Sequence, residues 1–203
     1  MPISDFFIPK ILKRIDLLEM YDEDDLDMMR YSLQVILWEI EKIVYICIFF
    51  AIIGRVDVFF VTLAALMSIR TSTGGYHSKT SLGCLTISFI FFLLAIVCLP
   101  YLITLNTAGI IVVTGISLGI TLVFAPIYSV EKERLRKKAG KKDTKWVAVV
   151  FTIGWAALAY FGKLGIYKDA ALFIILIQNI QLLAEFGRRK WMKRHEKMGV
   201  DNC

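Results

Sequence analysis

Histidine and cysteine are scarce in this chain: the histidines are His77 and His195, and the cysteines Cys47, Cys84, Cys98 and Cys203. Two histidines far apart and four scattered cysteines do not make a recognisable zinc set, so no metal is expected. There is no CxxC pair, and no paired extracellular loops carry the cysteines. That argues against a disulfide framework, and each thiol has to be judged singly. The acidic run Asp22, Glu23, Asp24, Asp25 and Asp27 lacks the glycine-containing spacing of a calcium loop. It reads instead as the solvated start of a helix, where carboxylates complement the free backbone N–H groups. No short apolar segment followed by a small-residue cleavage site opens the chain, so no signal peptide is expected. Neither a cofactor nor a repeated half is expected.

What the sequence has in abundance is apolar surface. Of 203 residues, 57% are hydrophobic, and the mean hydropathy is +0.64. A soluble domain of this length needs a larger polar share to hydrate its surface. The excess is gathered into runs such as 82–103 and 109–127, each of about twenty residues, the length of helix that crosses ~30 Å of hydrocarbon. The expected fold is therefore all-α, a polytopic membrane protein in a single domain over residues 1–203. About six spans are expected, at 35–53, 56–69, 82–103, 109–127, 146–162 and 169–184, with a tight turn at 54–57. Glu39, Glu41 and Lys42 fall in the first span, and such charges belong at the interface or facing the bundle interior.

Ahead of the spans, Ile8, Ile11, Leu12, Ile15 and Leu18 share one helical face, opposite Lys10, Lys13 and Arg14. This amphipathic pattern suits a helix lying in the membrane interface, and equally one packed on the rest of the protein.

The formal charge is +6, but nucleic acid is not the expected partner. The basic residues sit in short stretches beside apolar runs, where they face anionic lipid and fix orientation. The stretches 1–32, 70–81, 131–145 and 184–203 hold four, two, eight and six of them, or 20 of the 24. The positive-inside rule places all four stretches, and both termini, in the cytoplasm.

Reactive polar residues stand out against this background in one place, the segment from Arg70 to Cys84. Gly74 and Gly75 break the preceding helix, and Thr80 or Ser81 can cap the next one. With Ser81 as the cap, Cys84 is the third residue of that helix. A helix N-terminus, a protonated histidine and nearby Lys or Arg all stabilise a thiolate, the reactive form of cysteine. Cys84 has each within reach in sequence: its helix end, His77, and Arg70 or Lys79. His77 could accept the thiol proton and return it to a leaving amine. On one straight helix the two residues would stand ~10.5 Å apart, so contact requires a loop that folds back. Taken alone, a histidine seven residues before a cysteine is more often structural. Cys47 and Cys98, in apolar surroundings, read as packing residues, and Cys203 and His195 fall in a basic tail.

The combination Arg70, Gly74, Gly75, Tyr76, His77 and Cys84 is more specific, and it resembles the signature of the accessory gene regulator protein B family. These are bacterial membrane endopeptidases that process the precursor of a cyclic quorum-sensing peptide. The resemblance extends to chain length, span number, the pair Ala125-Pro126 and the basic loop that follows it. It implies Cys84 as nucleophile and His77 as general base. The implied substrate is a precursor peptide with an amphipathic leader, a central cysteine-containing segment and an acidic C-terminal tail. Cleavage before the tail would leave a thioester on Cys84, which the substrate's own thiol or hydroxyl could open to form a thiolactone or lactone. Arg70, Gly75 and Lys79 would bind substrate or hold structure. For Arg70 the two roles are level, whereas Gly75 reads as architectural and Tyr76 as an interfacial anchor. The oligomeric state stays open, a homodimer included. The competing reading is a peptide-binding or export component without covalent chemistry, and a third is an assembly protein in which Cys84 is merely buried.

Overall fold

The computed structural model describes residues 23–74, 81–127, 145–162 and 164–200, with 23–28, 30, 31, 81 and 193–200 described by backbone only. The expected interfacial helix at 8–18 lies outside these residues. So do Gly75, Tyr76, His77, Lys79 and Cys203, and the basic loop up to residue 144. The described residues are helical, without a strand: α1 Glu23–Ile52, α2 Val56–Thr73, α3 Ser81–Leu93, α4 Leu99–Leu102, α5 Thr107–Phe124, α6 Lys145–Phe161 and α7 Ile166–Val200. A π-helical turn, Leu94–Cys98, joins α3 to α4. Thus a helix stands at each of the six expected places.

Among the described residues, four stretches are both long and apolar enough to span a bilayer: Val56–Thr73, Leu82–Leu102, Thr107–Phe124 and Ile166–Met192. The helix α6 is apolar but has only 17 residues, ~26 Å at 1.5 Å per residue. The helix α1, 30 residues long, carries Glu39, Glu41 and Lys42 within its apolar part. The polytopic, all-α expectation holds, and the number of spans rests on these two helices.

The chain divides into two compact units, one of residues 1–56 with 79–86 and the other of 57–78 with 87–203. In the first, α1 buries Lys42, Ile46 and Phe50, a stripe at a spacing of four residues that lies along one helical face. The helix starts at Glu23, inside the acidic run, as expected. It ends in a turn where Gly54 takes a φ of +70° and the Arg55 N–H donates to the Phe50 carbonyl at 2.8 Å. That closure satisfies a carbonyl left free by the helix end, and glycine supplies the left-handed residue it needs.

In the second unit, α5 packs against both α6 and α7. Small buried side chains on α6, Ala148, Thr152 and Ala159, permit close approach of backbones, the usual device where lipid gives no hydrophobic drive between helices. The Thr121 hydroxyl donates to Asn179 Oδ1 at 2.9 Å, fully buried between α5 and α7. The Trp155 indole N–H donates to Ser68 Oγ at 3.1 Å, joining α6 to α2. The outward residues are large and apolar: Ile111 is 63% exposed, Val150 67% and Val123 72%. In water such a surface would drive aggregation, whereas hydrocarbon requires it.

Candidate active site

The segment from Arg70 to Cys84 begins in the last turn of α2, in the second unit, and ends in the first turn of α3, in the first. The helix α2 runs to Thr73, where the hydroxyls of Thr71 and Thr73 donate back to the carbonyls of Met67 and Ile69 at 3.0 and 3.1 Å. Gly74 then leaves the helix with a φ of +77°, a conformation that glycine adopts without steric cost. Of the two glycines expected to break the helix, Gly74 therefore does so, and Gly75 lies outside the described residues. Gly74 is held from two directions within the second unit. Its carbonyl accepts from Gln178 Nε2 at 2.9 Å, and it bridges in parallel to Ile127, whose N–H donates to the Thr73 carbonyl at 2.9 Å. Ile127 comes to this position because Ala125, the cap of α5, is extended at φ −82° and ψ 149°. That backbone suits the residue before Pro126.

The helix α3 begins at Ser81, so Cys84 is its fourth residue. This is one position further in than capping by Ser81 would give. The thiol still belongs to the first turn, whose backbone N–H groups have no intrahelical acceptors. Cys84 is free and half-buried, as are Cys47 and Cys98. His77 falls in sequence between the end of α2 and the start of α3, outside the described residues. Arg70 belongs to the last turn of α2 in the second unit, and Cys84 to the first.

One neighbour of the thiol was not anticipated. Lys42 of α1 points its ammonium at Cys84, with Nζ 4.0 Å from Sγ, and is itself only 6% exposed. The same ammonium donates to Glu39 Oε2 at 2.6 Å, one turn earlier on α1. Of the two settings expected for the charges of this segment, interface or interior, Lys42 takes the interior. A buried ammonium is tolerated when it is paired and hydrogen-bonded, and Glu39 supplies the pair. Within the same stretch, Glu41 accepts from the Tyr45 hydroxyl at 3.0 Å on the exposed side. Trp38, one turn before Lys42, keeps its buried indole N–H without a partner among the described residues. The signal for Lys42 in the sequence was a lysine inside an apolar run, which marks a functional or paired group by default.

The profile of accessory gene regulator B matches residues 5–182 of the chain, most of its length and all of the candidate site. The chain belongs to the accessory gene regulator B family. A protein of Clostridium beijerinckii named as AgrB-like is 32% identical over 155 residues, covering 76% of this chain and 75% of that one. No solved structure gives a significant match. Membership in the accessory gene regulator B family supports a role in agr quorum sensing. It also assigns the chain to peptide processing, with a precursor peptide as its substrate class, and the apolar exposed helices suit a place in the cell membrane.

Proposed function

We propose that this protein is a membrane cysteine endopeptidase that removes the C-terminal tail of an autoinducing peptide precursor and promotes its cyclisation. Cys84 is the nucleophile and His77 its general base. The observation that carries this reading is the setting of Cys84 in a chain of this family: the first turn of a helix, with a buried ammonium 4.0 Å from its sulfur. Cations and helix N-termini are the features that favour a thiolate.

The reaction proceeds in two transfers. His77 takes the proton from Sγ, and the thiolate attacks the carbonyl of the bond before the tail. The C–N bond breaks, the proton passes from His77 to the leaving amine, and the remaining acyl segment is held as a thioester on Cys84. A thiol within the bound segment then attacks that thioester, its proton going to the regenerated Cys84 thiolate by way of His77. The ring closes as a thiolactone, and a hydroxyl in place of the thiol would give a lactone. Exchange between thioesters is nearly even in free energy, while making a thioester from an amide is uphill. Loss of the tail therefore helps to draw the sequence forward.

The whole chain serves this chemistry as one membrane-embedded domain. Residues 1–32, 70–81, 131–145 and 184–203 face the cytoplasm, where a precursor is made. An amphipathic leader would lie in the same interface as 8–18, and an acidic tail would be drawn to the basic stretches. Arg70 and Lys79 bind that tail or anchor the segment to the membrane surface, and Gly75 shapes the backbone between them.

Reconstituted protein and candidate precursor, followed by mass spectrometry, test the assignment. Wild type should release the tail, whereas Cys84→Ala and His77→Ala should not, and Cys84→Ser should be severely slowed. If Cys84→Ala releases the tail as fast as wild type, the nucleophile is wrong and a binding or export role takes precedence.

A further inference from the structure

We infer that Lys42 is a catalytic residue of this protein: its ammonium stabilises the negative charge that forms on the Cys84 sulfur in the reaction, and Glu39 sets how much of the ammonium's charge the sulfur receives. The inference rests on the reading of Cys84 as nucleophile and goes beyond it, because Lys42 lies 42 residues away in sequence and outside the Arg70–Cys84 segment that carried the assignment.

Three observations converge on this role. The first is position: Nζ is 4.0 Å from Sγ, the outer limit of an N–H···S contact and a short distance for a charge pair. At that separation the attraction between an ammonium and a thiolate is stronger in a setting of intermediate dielectric than in water. The second is burial, since at 6% exposure Lys42 is shielded from the water and salt that would weaken its field. The third is the alignment of two elements. Lys42 occupies the buried stripe of α1, and Cys84 the first turn of α3, whose free N–H groups add a partial positive charge of the same sign. A lysine serving packing alone would place its aliphatic stem inside and extend its ammonium to water. Here the ammonium itself is inside.

The ion pair with Glu39 explains how the charge is kept ready. At 2.6 Å the carboxylate neutralises part of the ammonium in the resting thiol state, which makes burial tolerable. When the thiol loses its proton to His77, the ammonium already lies beside the new anion. Among the described residues, Lys42 and Glu39 from α1 are the charged groups that bear on the sulfur.

The test is the pH profile of Cys84 alkylation by iodoacetamide in the full-length protein, read by peptide mass spectrometry. Cys47 serves as an internal control. Lys42→Met keeps the stem and removes the charge. The profile of Cys84 should move to higher pH and its rate at neutral pH fall about tenfold, the effect of ~1.4 kcal/mol. Lys42→Arg should restore the wild-type profile, and Glu39→Gln, which releases the ammonium from its pair, should move it to lower pH. Because Lys42→Met also takes from Glu39 its ion pair with Lys42, the double variant Lys42→Met/Glu39→Gln is run beside it. It removes both charges and should show the same loss of reactivity. An unchanged Cys84 profile in Lys42→Met and in the double variant overturns the role of Lys42. A precursor-cleavage assay on the same preparations separates the two levels: cleavage by Cys84→Ala removes the peptidase reading itself. Cleavage that needs Cys84 while alkylation ignores Lys42 removes only this inference.

Discussion

Cys84 differs from the other described cysteines by its surroundings and not by exposure, since Cys47, Cys84 and Cys98 are all half-buried free thiols. Iodoacetamide at neutral pH should therefore label Cys84 first in the wild-type protein. Equal labelling of all three would mean that accessibility alone governs reaction. Much of this was legible in the sequence, because a thiol at the start of an apolar helix and a histidine nearby are local signals. Lys42 was legible only as an awkward charge. Nothing in its neighbourhood points to a cysteine 42 residues on, and such a pairing depends on which helix faces which. Gly74 lies between these cases. Its freedom to leave the helix was expected, and its φ of +77° makes Gly74→Ala a strained substitution. A loss of about 1–2 kcal/mol is expected, visible as a lower melting temperature in detergent, with wild-type stability as the contrary result.

Among the elements, the second unit holds the exit of α2 through polar contacts in an apolar interior. Gln178→Leu would leave the Gly74 carbonyl without its side-chain donor, at a cost of about 1–3 kcal/mol. The variant should melt earlier and cleave more slowly, while Ile180→Leu on the exposed face of the same helix should do neither. Asn179→Leu should cost less, about 0.6–1.7 kcal/mol, as expected of hydrogen bonds between membrane helices. Helix ends were the least legible feature, for a physical reason: apolar runs report where hydrocarbon ends, and helices continue past it. The span expected at 56–69 is shorter than its helix, α2, which runs to Thr73 before Gly74, and there Thr71 and Thr73 turn their hydroxyls back to helix carbonyls. The span expected at 169–184 lies within α7, which runs on to Val200. Beyond the apolar stretch, Glu185 pairs with Arg188 at 2.8 Å and with Arg189 at 2.9 Å, three and four residues on, the spacing that supports a helix. The π turn at Leu94–Cys98, closed by the Leu99 N–H on the Leu94 carbonyl, precedes Pro100. A proline cannot supply the next regular bond, and a wider turn is one way to accommodate it.

For the molecule as a whole, the question is how many helices cross the membrane. The paired charges Lys42 and Glu39 remove much of the cost that keeps α1 from reading as a span, and a thinned bilayer or flanking residues can accommodate the 17-residue α6. Six crossings with a cytoplasmic excess of basic residues return both termini to the same side. Cysteines introduced at residues 3 and 200 of a cysteine-free variant should thus be labelled only by membrane-permeant reagents in intact cells. Labelling of one terminus by an impermeant reagent would indicate an odd number of crossings. The expectation for the termini rests on charge alone, because lysine and arginine act through their distribution along the chain and need no tertiary structure.

If the carbonyl of the cleaved bond passes through Cys84, intact-protein mass spectrometry during turnover should find it there. A precursor whose internal cysteine is replaced by alanine can form the thioester but cannot close the ring. Wild-type protein should accumulate an adduct of the precursor less its tail, mapped to Cys84 and discharged by hydroxylamine. Release of the tail from such a precursor without any adduct on Cys84, or with the adduct on another residue, would contradict the account.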